Sequence, residues 1–125
     1  MNTKITINGG VFDPIDIEEM NSLCKKHAIS FNLLEIRNFL PPEVILILIE
    51  VGNEVGYGLA TNALYDVLKL TLRCIIEKLS SKRPEQKTEI EIVCNDKRHS
   101  FSCNFQLTEE QKNKLIDALA QKLSS

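Results

Sequence analysis

Few residues in this chain have the type and spacing to do chemistry. Cys24 precedes His27 by one helical turn, and Cys94, His99 and Cys103 cluster near the C-terminal third. Either cysteine–histidine set could supply a thiolate nucleophile and the base that takes its proton. Such a pair needs an orienting acid at a cleft, and no convergent set of acid, base and electrophile can be named. The chain also contains neither GxSxG nor HExxH. As zinc ligands the same residues would have to converge at about 2 Å from nitrogen or sulfur, and there is no CxxC knuckle to begin such a site. No catalytic residue, metal ligand or cofactor is therefore assigned. Cys74, inside an apolar helical pattern, and Cys103, alternating with Phe101 and Phe105, read as core thiols.

A second candidate is the glycine turn Gly52-Asn53-Glu54-Val55-Gly56-Tyr57-Gly58, placed after a strand pattern and before a helix pattern. Mononucleotide folds bind phosphate at that junction. Leu59-Ala60 stand where a P-loop carries lysine and then serine or threonine, and Glu54 would repel an anion. The glycines read first as relief for a backbone leaving a crowded strand at positive φ. If a ligand is held there, Gly52, Gly56 and Gly58 are the residues to hold it. Two basic groups, Lys82-Arg83 with Lys87 and Lys97-Arg98-His99, are not interleaved with exposed aromatics for base stacking. With a formal net charge of −2, they argue against a nucleic-acid partner.

The elements that must position these residues follow from hydrophobic spacing. Val44-Ile45-Leu46-Ile47-Leu48-Ile49 is an unbroken apolar run closed by Glu43 and Glu50, which predicts an interior strand covered on both faces. From about Tyr57 a long helix follows, with Ala60, Ala63, Leu64, Val67, Leu68, Cys74, Ile75 and Leu79 at three- and four-residue steps. Leu72 and Ile76 widen its apolar arc; Asp66 and Glu77, paired with Lys69 and Arg73, read as its wet edge. Lys4 to Ile7 and Ile29 to Leu33 alternate as strands. Between them Asp13-Pro14 starts a helix whose inward stripe is Ile17, Met20, Leu23, Cys24 and His27. Leu34 to Leu40 fits neither a free loop nor a confident helix.

Ile90, Ile92 and Cys94, then Phe101, Cys103 and Phe105, form a hairpin. If Asp96 and Lys97 make the loop, Ile92 faces Phe101 and Cys94 faces His99. Thr108-Glu109-Glu110-Gln111 is a capping box opening a last helix with Leu115, Ile116, Leu119 and Leu123 inward. The 125 residues, 43% hydrophobic and 26% charged, predict one α+β domain spanning 1–125. Its expected architecture is two layers: a four- or five-stranded mixed sheet with about three helices mainly on one face, and a C-terminal hairpin followed by a helix. No secretory signal pattern and no apolar run of membrane-spanning length is visible, so a cytoplasmic location with no membrane partner is expected.

The long helix with Ala63-Leu64-Tyr65-Asp66-Val67-Leu68, the polar linker after it, and the hairpin and helix from Glu89 to Leu123 resemble the small effector-associated constant component domains of bacterial conflict systems. The resemblance covers about two thirds of the chain. It implies a bacterial adaptor or tethering unit beside an effector, with no catalytic residues to carry over. The leading functional expectation is accordingly a non-enzymatic protein–protein interaction or adaptor module, docking a partner or itself through Tyr57, Leu72 and Ile76. Two alternatives stay open: binding of a small molecule or nucleotide phosphate at Gly52–Gly58, and a small hydrolase or transferase using Cys94 and His99.

Overall fold

A computed structural model describes residues 3–8, 12–34, 44–51, 60–94 and 96–124. In chain order the elements are β1 (Thr3–Asn8), α1 (Pro14–Cys24), a 3-10 turn (Lys25–His27) and β2 (Ile29–Leu33). They continue with β3 (Val44–Val51), α2 (Ala60–Lys82), β4 (Thr88–Cys94), β5 (Lys97–Cys103) and α3 (Glu109–Ser124).

Local chemistry starts the two shorter helices. Asp13 is the N-cap of α1, and its Oδ1 accepts from the Asp16 N–H at 3.0 Å while Asp16 Oδ2 accepts from the Asp13 N–H at 3.1 Å. Pro14 sits in the first turn, where its missing N–H costs nothing. Before α3, Thr108 Oγ1 accepts from the Gln111 N–H at 3.2 Å and Gln111 Oε1 accepts from the Thr108 N–H at 2.9 Å, the expected capping box. Farther along the outside of α3, Glu110 meets Lys114 at 3.4 Å, as four-residue spacing allows.

The five strands form one open sheet in the order β2-β1-β3-β4-β5. β1 runs parallel to β2 and antiparallel to β3; β3 runs parallel to β4, and β4 antiparallel to β5. Each parallel neighbour is reached through a helix, α1 for β1 to β2 and α2 for β3 to β4, because only a crossover can bring the chain back in the same direction. The mixed sheet and the closing hairpin-plus-helix are those the sequence predicts.

The core lies on one side of the sheet. Ile5, Ile7, Phe31, Ile45, Ile47, Ile49, Ile90 and Ile92 share one strand parity and pack with Met20 of α1, Leu68, Leu72, Ile75, Ile76 and Leu79 of α2, and Ile116, Leu119 and Leu123 of α3. A fully buried side chain of this size contributes roughly 1.5–3 kcal/mol. β3 is indeed interior, but its faces differ. Val44, Leu46 and Leu48 have the opposite parity, are half-buried, and belong neither to the core nor to the side chains packed against it. Among the described residues no helix is long and apolar enough to cross a membrane.

Four local expectations are corrected. The hairpin closes with Cys94 opposite Lys97, so Ile92 faces His99 and Ile90 faces Phe101. The two-residue turn is thus shifted by one position toward the N-terminus from Asp96-Lys97, and the parity of each face survives. On α1, Leu23 is 68% exposed and His27 is exposed, so the inward stripe ends at Ile17, Met20 and Cys24. Among the described residues, Lys69, Arg73 and Glu77 of the charged α2 edge take partners on α3 and not one another. Lys69 reaches Asp117 at 3.0 Å, Arg73 Nη2 donates to Asn113 Oδ1 at 2.6 Å, and Glu77 meets Lys112 at 3.3 Å, all on α3. Leu72 and Ile76, finally, are core residues, as set out below. The stretch 35–40 and the start of the long helix at Tyr57 lie outside the described residues.

Candidate functional site

Of the residues expected to dock a partner, Leu72 and Ile76 do not lie at the surface. Leu72 is 1% and Ile76 2% exposed, because the broad apolar arc of α2 is roofed by the sheet on one side and by α1 and α3 on the others. The widened arc marks a central helix rather than a contact face. Tyr57, and Gly52, Gly56 and Gly58 of the glycine turn, lie outside the described residues.

The two cysteine–histidine sets are not brought together as nucleophile and base. His99 stands opposite Ile92 and lies against Phe101, with ring centroids 6.0 Å apart. Cys94 is buried, and burial pushes its thiol pKa up, away from the thiolate a nucleophile needs. Cys24 turns into the core while His27 lies exposed in the 3-10 turn. Among the described residues no group of three or more histidine, cysteine, aspartate or glutamate side chains is placed to hold a metal ion.

What the fold does expose is a difference between the two edges of its sheet. At the β2 edge, Asn21 of α1 acts as a surrogate strand. Its Oδ1 accepts from the Phe31 N–H at 2.7 Å and its Nδ2 donates to the Phe31 carbonyl at 3.1 Å. Those are the outward backbone groups of β2 at its centre, so the edge is closed to a further strand there. A depression of about 760 Å³ flanks this edge, and its Asn21 and Ser22 side chains already bond Phe31 and the Glu18 carbonyl.

The β5 edge has no such cover. Because Cys94 and Lys97 close a two-residue turn, they exchange both hydrogen bonds, and every second residue after them does the same. The backbone groups of Lys97, His99, Phe101 and Cys103 are thereby committed to β4. Those of Arg98, Ser100 and Ser102 point away from the sheet, and among the described residues nothing pairs with them. Their side chains are exposed as well.

A third feature lies between α1 and α2. A groove of about 440 Å³ is lined by Leu23, Leu70, Arg73, Cys74, Glu77 and Lys78. Leu23 and, about two turns earlier on α1, Ile15 at 65% exposure are the large apolar side chains that the described surface leaves open. Beside the groove the helices are held by charge. Lys82 and Lys78 of α2 both reach the buried Asp16, Lys82 also meets Asp13 at 3.3 Å, and Lys78 also pairs with Glu19.

Sequence reasoning missed both edges and the groove. Asn21 carries no signal beyond a polar residue on an amphipathic helix, and the exposure of β5 depends on strand order. Comparison with known proteins adds no relationship: no family model, no curated protein and no solved structure matches this chain.

Proposed function

We propose that this chain is a non-enzymatic protein-interaction module that docks a second polypeptide by strand addition at β5, with a second copy of itself as the occupant. The observation that carries this reading is the asymmetry of the edges: β2 is capped by Asn21, whereas Arg98, Ser100 and Ser102 leave their backbone groups unpaired among the described residues. Strand addition takes its affinity from main-chain hydrogen bonds and its selectivity from the alternate side chains.

Antiparallel self-pairing centred on Ser100 suits this strand. Arg98 then faces Ser102 of the second copy, His99 faces Phe101, and Lys97 faces Cys103. No two positive charges stand opposite each other, and the parity of each face is kept, so the helices of both copies lie on the same side of a joined sheet. The same reading accommodates the tethering role that the resemblance to the effector-associated domains of bacterial conflict systems implies, carried out in the cytoplasm.

Native mass spectrometry and size-exclusion chromatography with light scattering test it, using the wild type beside Ser100→Pro. Proline removes the outward N–H at the centre of the edge while sparing the bonds to β4. The reading requires a wild-type dimer and a monomeric variant with an unchanged circular dichroism spectrum. A wild type that stays monomeric at its highest attainable concentration, or a dimer that survives in the variant, overturns it.

A further inference from the structure

Cys24 near the end of α1 and Cys74 in the middle of α2 place their sulfur atoms 3.3 Å apart. Both are free thiols. Cys24 is wholly buried, whereas Cys74 keeps 9% exposure and forms part of the floor of the α1–α2 groove. We propose that these residues are a redox pair: a low-molecular-weight disulfide entering the groove converts them into a Cys24–Cys74 disulfide that staples α1 to α2. This inference is independent of the β5 edge and survives its failure.

Geometry assigns the order of events. Cys74 lines the groove and Cys24 does not, so the Cys74 thiolate attacks one sulfur of the small disulfide, for which oxidised glutathione serves as the example. One glutathione leaves as a thiolate and the other remains on Cys74 as a mixed disulfide. The Cys24 thiolate, already beside the Cys74 sulfur, attacks it and expels the second glutathione. The two thiol protons pass to the two departing thiolates. Overall, two protein thiols are oxidised to one disulfide and one glutathione disulfide is reduced to two glutathione molecules.

The two hairpin thiols cannot pair with each other. Cys94 is opposite Lys97 and Cys103 is opposite Thr88, at the two ends of the β4–β5 ladder. Six residue steps separate them, about 20 Å along the strands at some 3.3 Å each, whereas disulfide-bonded Cα atoms lie within about 7 Å. The pair is also built to react slowly. Burial first, and then the neighbouring Cys24, push the Cys74 thiol pKa up to about 12, against a small downward pull from Arg73. Thiolate is therefore scarce at neutral pH, and oxidation reads out sustained exposure to oxidant rather than a brief pulse. Arg73, Glu77 and Lys78 of α2 are the charged groups lining the groove at this thiol.

The test uses the folded wild-type protein incubated with oxidised glutathione, quenched with iodoacetamide in denaturant, and mapped by peptide mass spectrometry. The expected product has lost two hydrogen masses and yields one cross-linked peptide joining Cys24 to Cys74, with Cys94 and Cys103 alkylated. Its melting temperature rises by about 10 °C, because the bond closes a long loop, and dithiothreitol reverses the rise. In Cys24→Ala, glutathione remains on Cys74 as a stable adduct, since the resolving thiol is gone. A wild type that accumulates the adduct without resolving it overturns the proposal. So does one that reacts only after unfolding, or one whose disulfide lowers the melting temperature. All three outcomes are read on the wild type, so poor folding of Cys24→Ala would not rescue the idea.

Discussion

The side-chain amide of Asn21 meets the backbone of Phe31 in two directions at once, accepting its N–H at 2.7 Å and donating to its carbonyl at 3.1 Å. A side-chain amide carries a donor and an acceptor side by side, as a strand neighbour does, and here it presents them from a helix. Replacing Asn21 with Ala leaves two outward groups of β2 without this partner. Each such loss costs about 1–3 kcal/mol where the group stays out of water. Urea unfolding of Asn21→Ala should show a midpoint lowered by that order. With both sheet edges then open, light scattering should show species larger than those of the wild type. A variant with wild-type stability and size would mean that the contact is incidental.

How much of this was legible in the sequence follows from the range of the interactions. The caps at Asp13 and Thr108 were readable because donor and acceptor lie three residues apart, and the strand faces because alternation is local. The margins of α2 were not. Leu72 and Ile76 look like the rim of a stripe until α1 and α3 are seen packed on both flanks. Nor was the hairpin register: parity fixes which face a residue takes, but not whether Ile92 meets Phe101 or His99, since both lie on that face. Asn21 and Phe31, Cys24 and Cys74, and Lys69 and Asp117 join different elements, so no spacing rule announces them.

Ala28 carries the one positive φ of a non-glycine residue among those described, 54° with ψ 38°, where the 3-10 turn gives way to β2. Its carbonyl accepts from the Thr3 N–H at 3.1 Å, which ties the bend to the start of β1. Left-handed backbone costs an L-residue with a Cβ about 1–2 kcal/mol, while glycine loses roughly 0.5–1 kcal/mol more entropy on folding. Ala28→Gly should therefore raise stability by about 0.5–1 kcal/mol in urea unfolding. A lowered midpoint would show that the bend is not held at positive φ in solution.

The α2–α3 and α1–α2 margins make stability depend on pH. The Lys69 ammonium beside Asp117, with the Tyr65 hydroxyl, holds the Asp117 carboxyl below its ordinary value; the backbone N–H of Asp16, followed by Lys82, does the same for Asp13. A depressed carboxylate pKa contributes stability that is fully present above the unfolded value of about 4 and is lost as pH falls through the folded one. The raised pKa values of Lys69, beside Asp117, and of Lys82, beside Asp16 and then Asp13, contribute below about 10.4, and that part is lost as pH climbs through the folded values. These groups are exposed to solvent, so the effect is small and screened by salt. Melting curves should show a shallower acid decline for Asp117→Asn than for the wild type, with the difference shrinking at high ionic strength. Parallel acid limbs for the two proteins would remove Asp117 from the account.

The strongest contrast lies between Ile76 and Leu23, two large aliphatic residues on neighbouring helices. Ile76 is 2% exposed in the centre of the helical layer; Leu23 is 68% exposed at the wall of the groove. Ile76→Ala should cost about 2–5 kcal/mol, set by the cavity it leaves, and Ile76→Glu would bury a carboxylate in the apolar core. Leu23→Glu removes an exposed side chain and should stay within about 0.5 kcal/mol of the wild type. Circular dichroism and urea unfolding of the three variants decide the matter. A folded Ile76→Glu protein that has only lost an oligomeric state would return α2 to the surface, as the sequence alone suggested. Unfolding of that variant beside an intact Leu23→Glu places Ile76 in the core and leaves association to the β5 edge.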